Sequence, residues 1–230
     1  MHPITIFINS KLKRVGDSIK APQMKAYMKT EQPFYGVQSK LRKQIFRDAI
    51  KKYPIESREE WETVILELWN GTHREEMYQA LEVAERYKIY HDESAWELFE
   101  ILLRTATNWD TVDWLSSNLI GQLAYKYRHF EKQLVEWSDD ENFWVRRASL
   151  IAHLKHKEKT NTKLLSHSIL KLAYEKEFFI RKAIGWVLRQ YSYTDPVWVI
   201  QFVDKYENKL SGLSKREALK VVKRNKKSNR

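Results

Sequence analysis

A chain of 230 residues that is 43% hydrophobic and 13% aromatic can bury a sizeable core, as one domain or one continuous array. Its 41 Lys and Arg against 30 Asp and Glu leave a net charge of +11, which favours a polyanionic partner without separating DNA from RNA or a membrane surface. The absence of cysteine removes disulfides, thiolate nucleophiles and cysteine-based zinc sites together, so any catalysis runs on carboxylate, His or Tyr. Met1 to Ile8 has too short an apolar run for a secretory signal, and no stretch of about 18 apolar residues follows, so the expected location is the cytoplasm.

In chain order the sequence reads as helix after helix. Six glycines and five prolines leave few sites for hairpin turns, and no Asn-Gly or Asp-Gly pair separates alternating apolar runs. The first helices cover Ile4 to Val15 and Gln23 to Lys29. Ser39 to Lys52 follows, with Leu41, Ile45, Ala49 and Ile50 as its apolar stripe and Lys40, Arg42, Lys43, Arg47 and Lys51 as a basic outer face. Ser57 with Glu60 three residues later is a capping-box signature, and Trp61, Val64, Ile65 and Leu68 carry a buried face to the Asn70-Gly71 stop.

Further helices are expected over Arg74 to Lys88, Ser94 to Ala106, Asp110 to Lys126, Phe130 to Trp137, Asn142 to Lys155 and Lys163 to Glu175. Glu177 to Gln190, Pro196 to Lys205, where the proline suits a first helical position, and Ser214 to Lys223 complete the series. Every connector is short, which leaves a compact bundle or a solenoid of stacked pairs.

Repetition decides between them. Asn142-Phe-Trp-Val-Arg-Arg-Ala148 recurs 35 residues later as Glu177-Phe-Phe-Ile-Arg-Lys-Ala183. A Val/Ile-Arg pair opening a helix at this period resembles HEAT repeats, which implies an all-α, HEAT-like solenoid of stacked antiparallel helix pairs with a concave basic face. The same step backwards takes Trp144 to Trp109 and Ala148 to Asp113, so a carboxylate stands where sister repeats carry alanine.

Trp109 and Asp113, four residues apart, project from one helical face. One reading is structural: Asn108 or Asp110 can serve as cap, and if Asp110 caps, Asp113 sits at N3, where a carboxylate satisfies free N–H groups, while Trp109 staples the following turn. The other is chemical: a carboxylate beside an indole on a basic scaffold suits work on something cationic within a polyanion. Arg146, Arg147, Arg181 and Lys182 sit in first turns, where a cation opposes the helix dipole and wants an external anion. Arg146 and Arg181 fit bonds to a neighbouring repeat better, which leaves Arg147 as the better phosphate candidate.

Lys215, Arg216, Lys220, Lys223, Arg224, Lys226, Lys227 and Arg230 form a basic tail. His153 and His156, three apart, lack further ligands and read as solvated or partly packed side chains, so no metal site is expected. Trp186 follows Gly185, and a mid-helix glycine invites close approach by another backbone or a ligand.

Leu68-Trp-Asn-Gly-Thr-His-Arg-Glu-Glu76, Asn108-Trp-Asp-Thr-Val-Asp113, Phe143-Trp-Val-Arg-Arg147 and Ile180-Arg-Lys-Ala-Ile-Gly-Trp186 together resemble the HEAT-like DNA alkylation repair glycosylases, the AlkD-like group. The likeness spans roughly Tyr27 to Tyr191, with one departure at Gln38-Ser39-Lys40, where the family usually has a proline. It implies a monofunctional DNA glycosylase that releases cationic N3- and N7-alkylated purines from duplex DNA without a cofactor. It implies Asp113 as the catalytic carboxylate, with Trp109 and Trp186 beside the lesion's deoxyribose. Arg147 and Tyr27 would help hold the DNA, and Lys182 joins Arg147 as a first-turn cation facing it.

The expected organisation is a helical extension over 1–22, the repeat domain over 23–213 and a basic tail over 214–230, acting as a monomer. The rival readings are a non-catalytic DNA-binding array and a protein-interaction scaffold.

Overall fold

The computed structural model describes residues 1–228, with side chains described as far as Arg224, so Arg230 lies outside the described residues and the Lys226 and Lys227 side chains outside the described ones. Every regular element among the described residues is helical, and none is long and apolar enough to cross a membrane. The helices pack in pairs as in a HEAT-like repeat array. Two compact units divide the chain, Met1–Leu98 and Phe99–Arg230.

In the first unit, α1 (Pro3–Arg14) buries Ile4, Ile8 and Leu12 at 0% exposure, one stripe at a spacing of four. It packs on α3 (Ser39–Lys52), whose limits match the sequence reading; α2 (Lys20–Met28) lies between them in the chain. Within α3 the expected faces need one exchange. Leu41 is exposed, and Arg42 is buried because its guanidinium lies 4.5 Å from the Tyr78 ring centroid. Lys40, Lys43, Arg47 and Lys51 remain an exposed basic row.

In α4 (Arg58–Trp69), Ser57 Oγ accepts from Glu60 N, as the capping signature demands, while the Glu60 carboxylate returns to Glu56 N, one residue earlier than expected. Trp61, Val64, Ile65 and Leu68 are each 0% exposed. On α5 (Arg74–Arg86), the wholly buried Glu75 carboxylate accepts the backbone N–H groups of Tyr35, Gly36 and Val37 at 3.0, 2.9 and 2.9 Å. Three charge-assisted bonds satisfy its charge and hold the loop before α3.

The second unit opens within α6 (Ala95–Thr105) and continues through α7 (Trp109–Trp114), α8 (Gly121–Lys126), α9 (Phe130–Glu136), α10 (Phe143–Ile151), α11 (Thr162–Leu172), α12 (Phe178–Tyr191), α13 (Pro196–Lys205), α14 (Gly212–Ala218) and α15 (Lys220–Ser228). Helix α7 packs on α10, α10 on α12 and α12 on α14, so these four form one row. Each opens on a side-chain cap that accepts a backbone N–H: Asn108, Asn142, Glu177 and Ser211.

The repeat register runs one step further than the sequence suggested. Ala148, Ala183 and Ala218 succeed one another at 35 residues, and each is 0% exposed. The expected helix over Ser214 to Lys223 breaks at Leu219, the C-cap of α14. Gly185 is filled from outside by α14: a Cβ there would stand 2.5 Å from Glu217 Cβ and 2.9 Å from the Ser214 carbonyl oxygen. The close approach is another backbone, not a ligand.

His153 and His156 are not solvated. They are 4% and 1% exposed, their rings meet at 5.2 Å, and His156 Nε2 donates to the Gly121 carbonyl at 2.7 Å. Burial pushes His153 down to about 3 from an ordinary value of 6.5 and lowers His156 as well.

Two outcomes follow from this packing. Gly185→Ala gains about 1 kcal/mol of helix propensity but forces about 1–3 kcal/mol of overpacking against α14, so its urea midpoint should fall. A base with a lowered folded pKa takes up protons preferentially when unfolded. Stability is therefore full above pH 6.5 and drains away as the pH falls towards 3, and His153→Gln should flatten that slope in urea titrations run at several pH values.

Candidate active site

The helix that carries Trp109 and Asp113 starts one residue before the expected Asp110. Asn108 is the cap, its Oδ1 accepting from Trp109 N at 2.8 Å. Asp113 is thus the fifth helical residue, beyond the free N–H groups, and the capping reading of its carboxylate does not hold. The chain then leaves the regular α path: Leu115–Ile120 form a π-helical turn before α8 resumes at Gly121. Ser116 Oγ donates to the Val112 carbonyl at 2.6 Å and Ser117 Oγ to the Asp113 carbonyl at 2.7 Å, hydroxyl bonds of the kind that bend helices. Gly121 completes the local requirement, because a Cβ there would meet the Ala152 carbonyl oxygen at 2.3 Å.

Asp113 meets Arg147. Nε donates to Oδ1 and Nη2 to Oδ2, both at 2.8 Å, the parallel fork in which an ionised carboxylate accepts on each oxygen. The third guanidinium nitrogen, Nη1, donates to the Phe179 carbonyl on α12, and the guanidinium lies 5.8 Å from the Phe179 ring centroid. One side chain on α10 therefore bridges α7 and α12. The Arg147 side chain is 4% exposed and that of Asp113 14%, so solvent reaches the acid more than its partner. Burial pushes the Asp113 carboxyl above its ordinary value and Asp110 adds to the rise, while the bonds and charge of Arg147 pull it down.

Trp109 is half-buried one turn before Asp113. Trp186 is half-buried on α12 and packs at the margin of the second unit's core. It lies seven residues after Phe179, two turns along the same side of the helix from the carbonyl that receives Arg147. The equivalent aromatics of the next two repeats, Trp144 and Phe179, contact each other at 4.9 Å.

Arg146 and Arg181 have structural partners. Arg146 donates to the carbonyl of Asp140 and pairs with Glu175 at 2.6 Å, and Arg181 donates to the carbonyl of Glu175, so each reaches six residues back to close the turn before its helix. Lys182 pairs with Glu217 on α14 at 2.9 Å, an acid that Arg189 also engages, and its side chain is 37% exposed. Tyr27 belongs to the first unit, on α2, and is 76% exposed. Two members of the arrangement went unread in the sequence: Glu217, which the 35-residue step places in line with Arg147 and Lys182, and the Ser116-Ser117 pair, whose signal was a hydroxyl doublet just before Gly121.

The model of the DNA alkylation repair enzyme family matches residues 8–222. Among solved structures, a protein from Enterococcus faecalis described as a predicted DNA alkylation repair enzyme is 31% identical, with a TM-score of 0.82 over 89% of this chain and 95% of that one. No curated protein matches. With the family model covering almost the whole chain and a relative of the same description sharing its fold over most of both chains, the chain belongs to the DNA alkylation repair enzyme family.

Proposed function

We propose that this protein is a DNA glycosylase that hydrolyses the N-glycosidic bond of cationic N3- and N7-alkylated purines in duplex DNA. The observation that carries the reading is Asp113: where three sister repeats bury an alanine, this one holds an oriented and partly exposed carboxylate one turn from an indole.

Alkylation at N3 or N7 makes the purine a cation, so the base leaves without prior protonation. As the C1′–N bond stretches, its electron pair neutralises the departing base and positive charge builds on the sugar. Asp113 beside C1′ stabilises that charge and orients a water, whose oxygen bonds to C1′ while its proton passes to the carboxylate or to solvent. Trp109 and Trp186 flank the sugar and add cation–π stabilisation of about 0.5–2 kcal/mol. Arg147 is a positioning residue in this scheme. Its three engaged nitrogens leave it holding Asp113, and a phosphate contact from it requires exchange of one of those bonds. Tyr27 and the exposed part of Lys182 serve as DNA contacts.

A second reading has a specific observation behind it. The buried Arg147, tied to two helices at once, is also what a purely structural clamp looks like, and the chain would then bind DNA without cleaving it.

Liquid chromatography of bases freed from methylated DNA separates the two. Asp113→Asn should cut release by about 10²-fold or more while duplex affinity stays within a factor of about two, since the removed term acts at the transition state. Unchanged release sinks the catalytic role. Arg147→Gln removes the influence that pulls the Asp113 carboxyl down, so the acidic limb of its pH–rate profile should move to higher pH than in the wild type. A lowered rate with the limb unmoved would leave Arg147 as a clamp alone.

A further inference from the structure

The 35-residue step takes Arg147 to Lys182 and Lys182 to Glu217, so an acid stands where the two preceding repeats carry cations. On α12, Lys182, Trp186 and Arg189 follow one another at i, i+4 and i+7 and form one stripe along the helix. Trp186 is the indole that flanks the sugar in the proposed chemistry, and its two charged neighbours on that stripe turn to the same acid. Lys182 Nζ lies 2.9 Å from Glu217 Oε1, and Arg189 Nη1 donates to Oε2, so each carboxylate oxygen takes one cation. Gly185 makes the convergence possible: it lies between the two cations in sequence, and Glu217 Cβ stands 2.5 Å from where a Cβ at that position would be. The bond from Lys182, with the charges of Lys182, Arg189 and Lys220, holds the Glu217 carboxyl below its ordinary value against the opposing effect of burial. It is ionised at neutral pH.

The charges separate two uses of this cluster. An ion pair that only fastens α14 to α12 is balanced one to one, whereas here two cations share one acid and a single positive charge is left over. Exposure points the same way. The side chains of Lys182 and Arg189 are 37% and 24% exposed and that of Glu217 13%, so an anion arriving from solvent meets the cations with the acid behind them. Each DNA phosphate carries one negative charge and matches the surplus. We propose that Glu217 is a positioning residue that fixes the charge of the Trp186 stripe, holding Lys182 and Arg189 ready for one phosphate and denying them a second. Undamaged duplex is then gripped less firmly and released sooner. The effect is uniform binding, the same in ground and transition states, so it acts on KM and not on kcat. The proposal rests on the DNA-binding part of the glycosylase reading and not on base release.

The test is titration of a fluorescent undamaged duplex with the full chain, read by anisotropy at salt from about 50 to 200 mM. Glu217→Gln keeps the size and an acceptor oxygen but drops the charge. Its plot of log K against log salt should be steeper than the wild type's by about 0.9, one further phosphate, with binding about three- to fivefold tighter at the lowest salt. Glu217→Asp keeps the charge and should return the wild-type slope. Lys182→Gln leaves Arg189 cancelled by Glu217, so its slope should be shallower by about 0.9, a result that stands whether or not Glu217→Gln folds. On methylated DNA, Glu217→Gln should lower KM by a like factor with kcat unchanged. An unchanged or shallower slope in Glu217→Gln, or a wild-type slope in Lys182→Gln, would overturn the proposal and leave Glu217 as a fastener between two helices. A wild-type chain that shows the expected slopes yet frees no base from methylated DNA would overturn the glycosylase reading alone.

Discussion

The fork between Asp113 and Arg147 is the constraint on which the second unit's arrangement turns. Breaking a buried pair by removing one member costs about 3–5 kcal/mol, against about 5–15 kcal/mol for the stability of a whole domain. The same guanidinium also engages the Phe179 carbonyl, so three helices meet at one side chain. An acid so held is fixed in rotamer and direction before any substrate arrives. Preorganisation of this kind is what an electrostatic site needs, because a carboxylate that had to turn towards a forming cation would lose part of the benefit in reorganisation. The partner that tempers the charge of Asp113 is also what keeps it aimed.

The row of α7, α10, α12 and α14 explains how one position holds a carboxylate that its equivalents lack. Ala148, Ala183 and Ala218 are small side chains wholly buried within the row. Position 113 is the first of the series, and its carboxylate reaches forward to Arg147, the second basic residue of the next repeat. At the other end the polarity reverses: Glu217 occupies the place of Arg147 and Lys182 and receives Lys182 and Arg189 from behind. Ion pairs between successive repeats thus link both ends of the row, and the backbone contact at Gly185 seats its last helix.

Local chemistry was legible in the sequence wherever a property depends on residues a turn or two apart. The limits of Ser39–Lys52 and Pro196–Lys205, the buried stripe of Trp61, Val64, Ile65 and Leu68, and the HEAT-like period all rest on spacing that the chain itself displays. What escaped depends on partners far along the chain. Arg42 lies inside because Tyr78 supplies a ring 36 residues later, and His156 because the Gly121 carbonyl awaits it. The fork escaped for the same reason. The 35-residue step aligned Asp113 with Ala148, but only the packing of α7 on α10 makes the neighbouring Arg147 its partner.

The wide turn at Leu115–Ile120 has a consequence for how such a helix tolerates change. A π turn accommodates one residue more than the α path, and each α-helical residue advances the side-chain direction by about 100°. The segment therefore works as a phase shifter: residues before it answer to the ion pair, residues after it to the Gly121–Ala152 contact, and neither azimuth is derivable from the other by plain helical counting. An insertion or deletion inside those six residues would rotate one half against the other, whereas one in the connectors on either side would leave both orientations as they are.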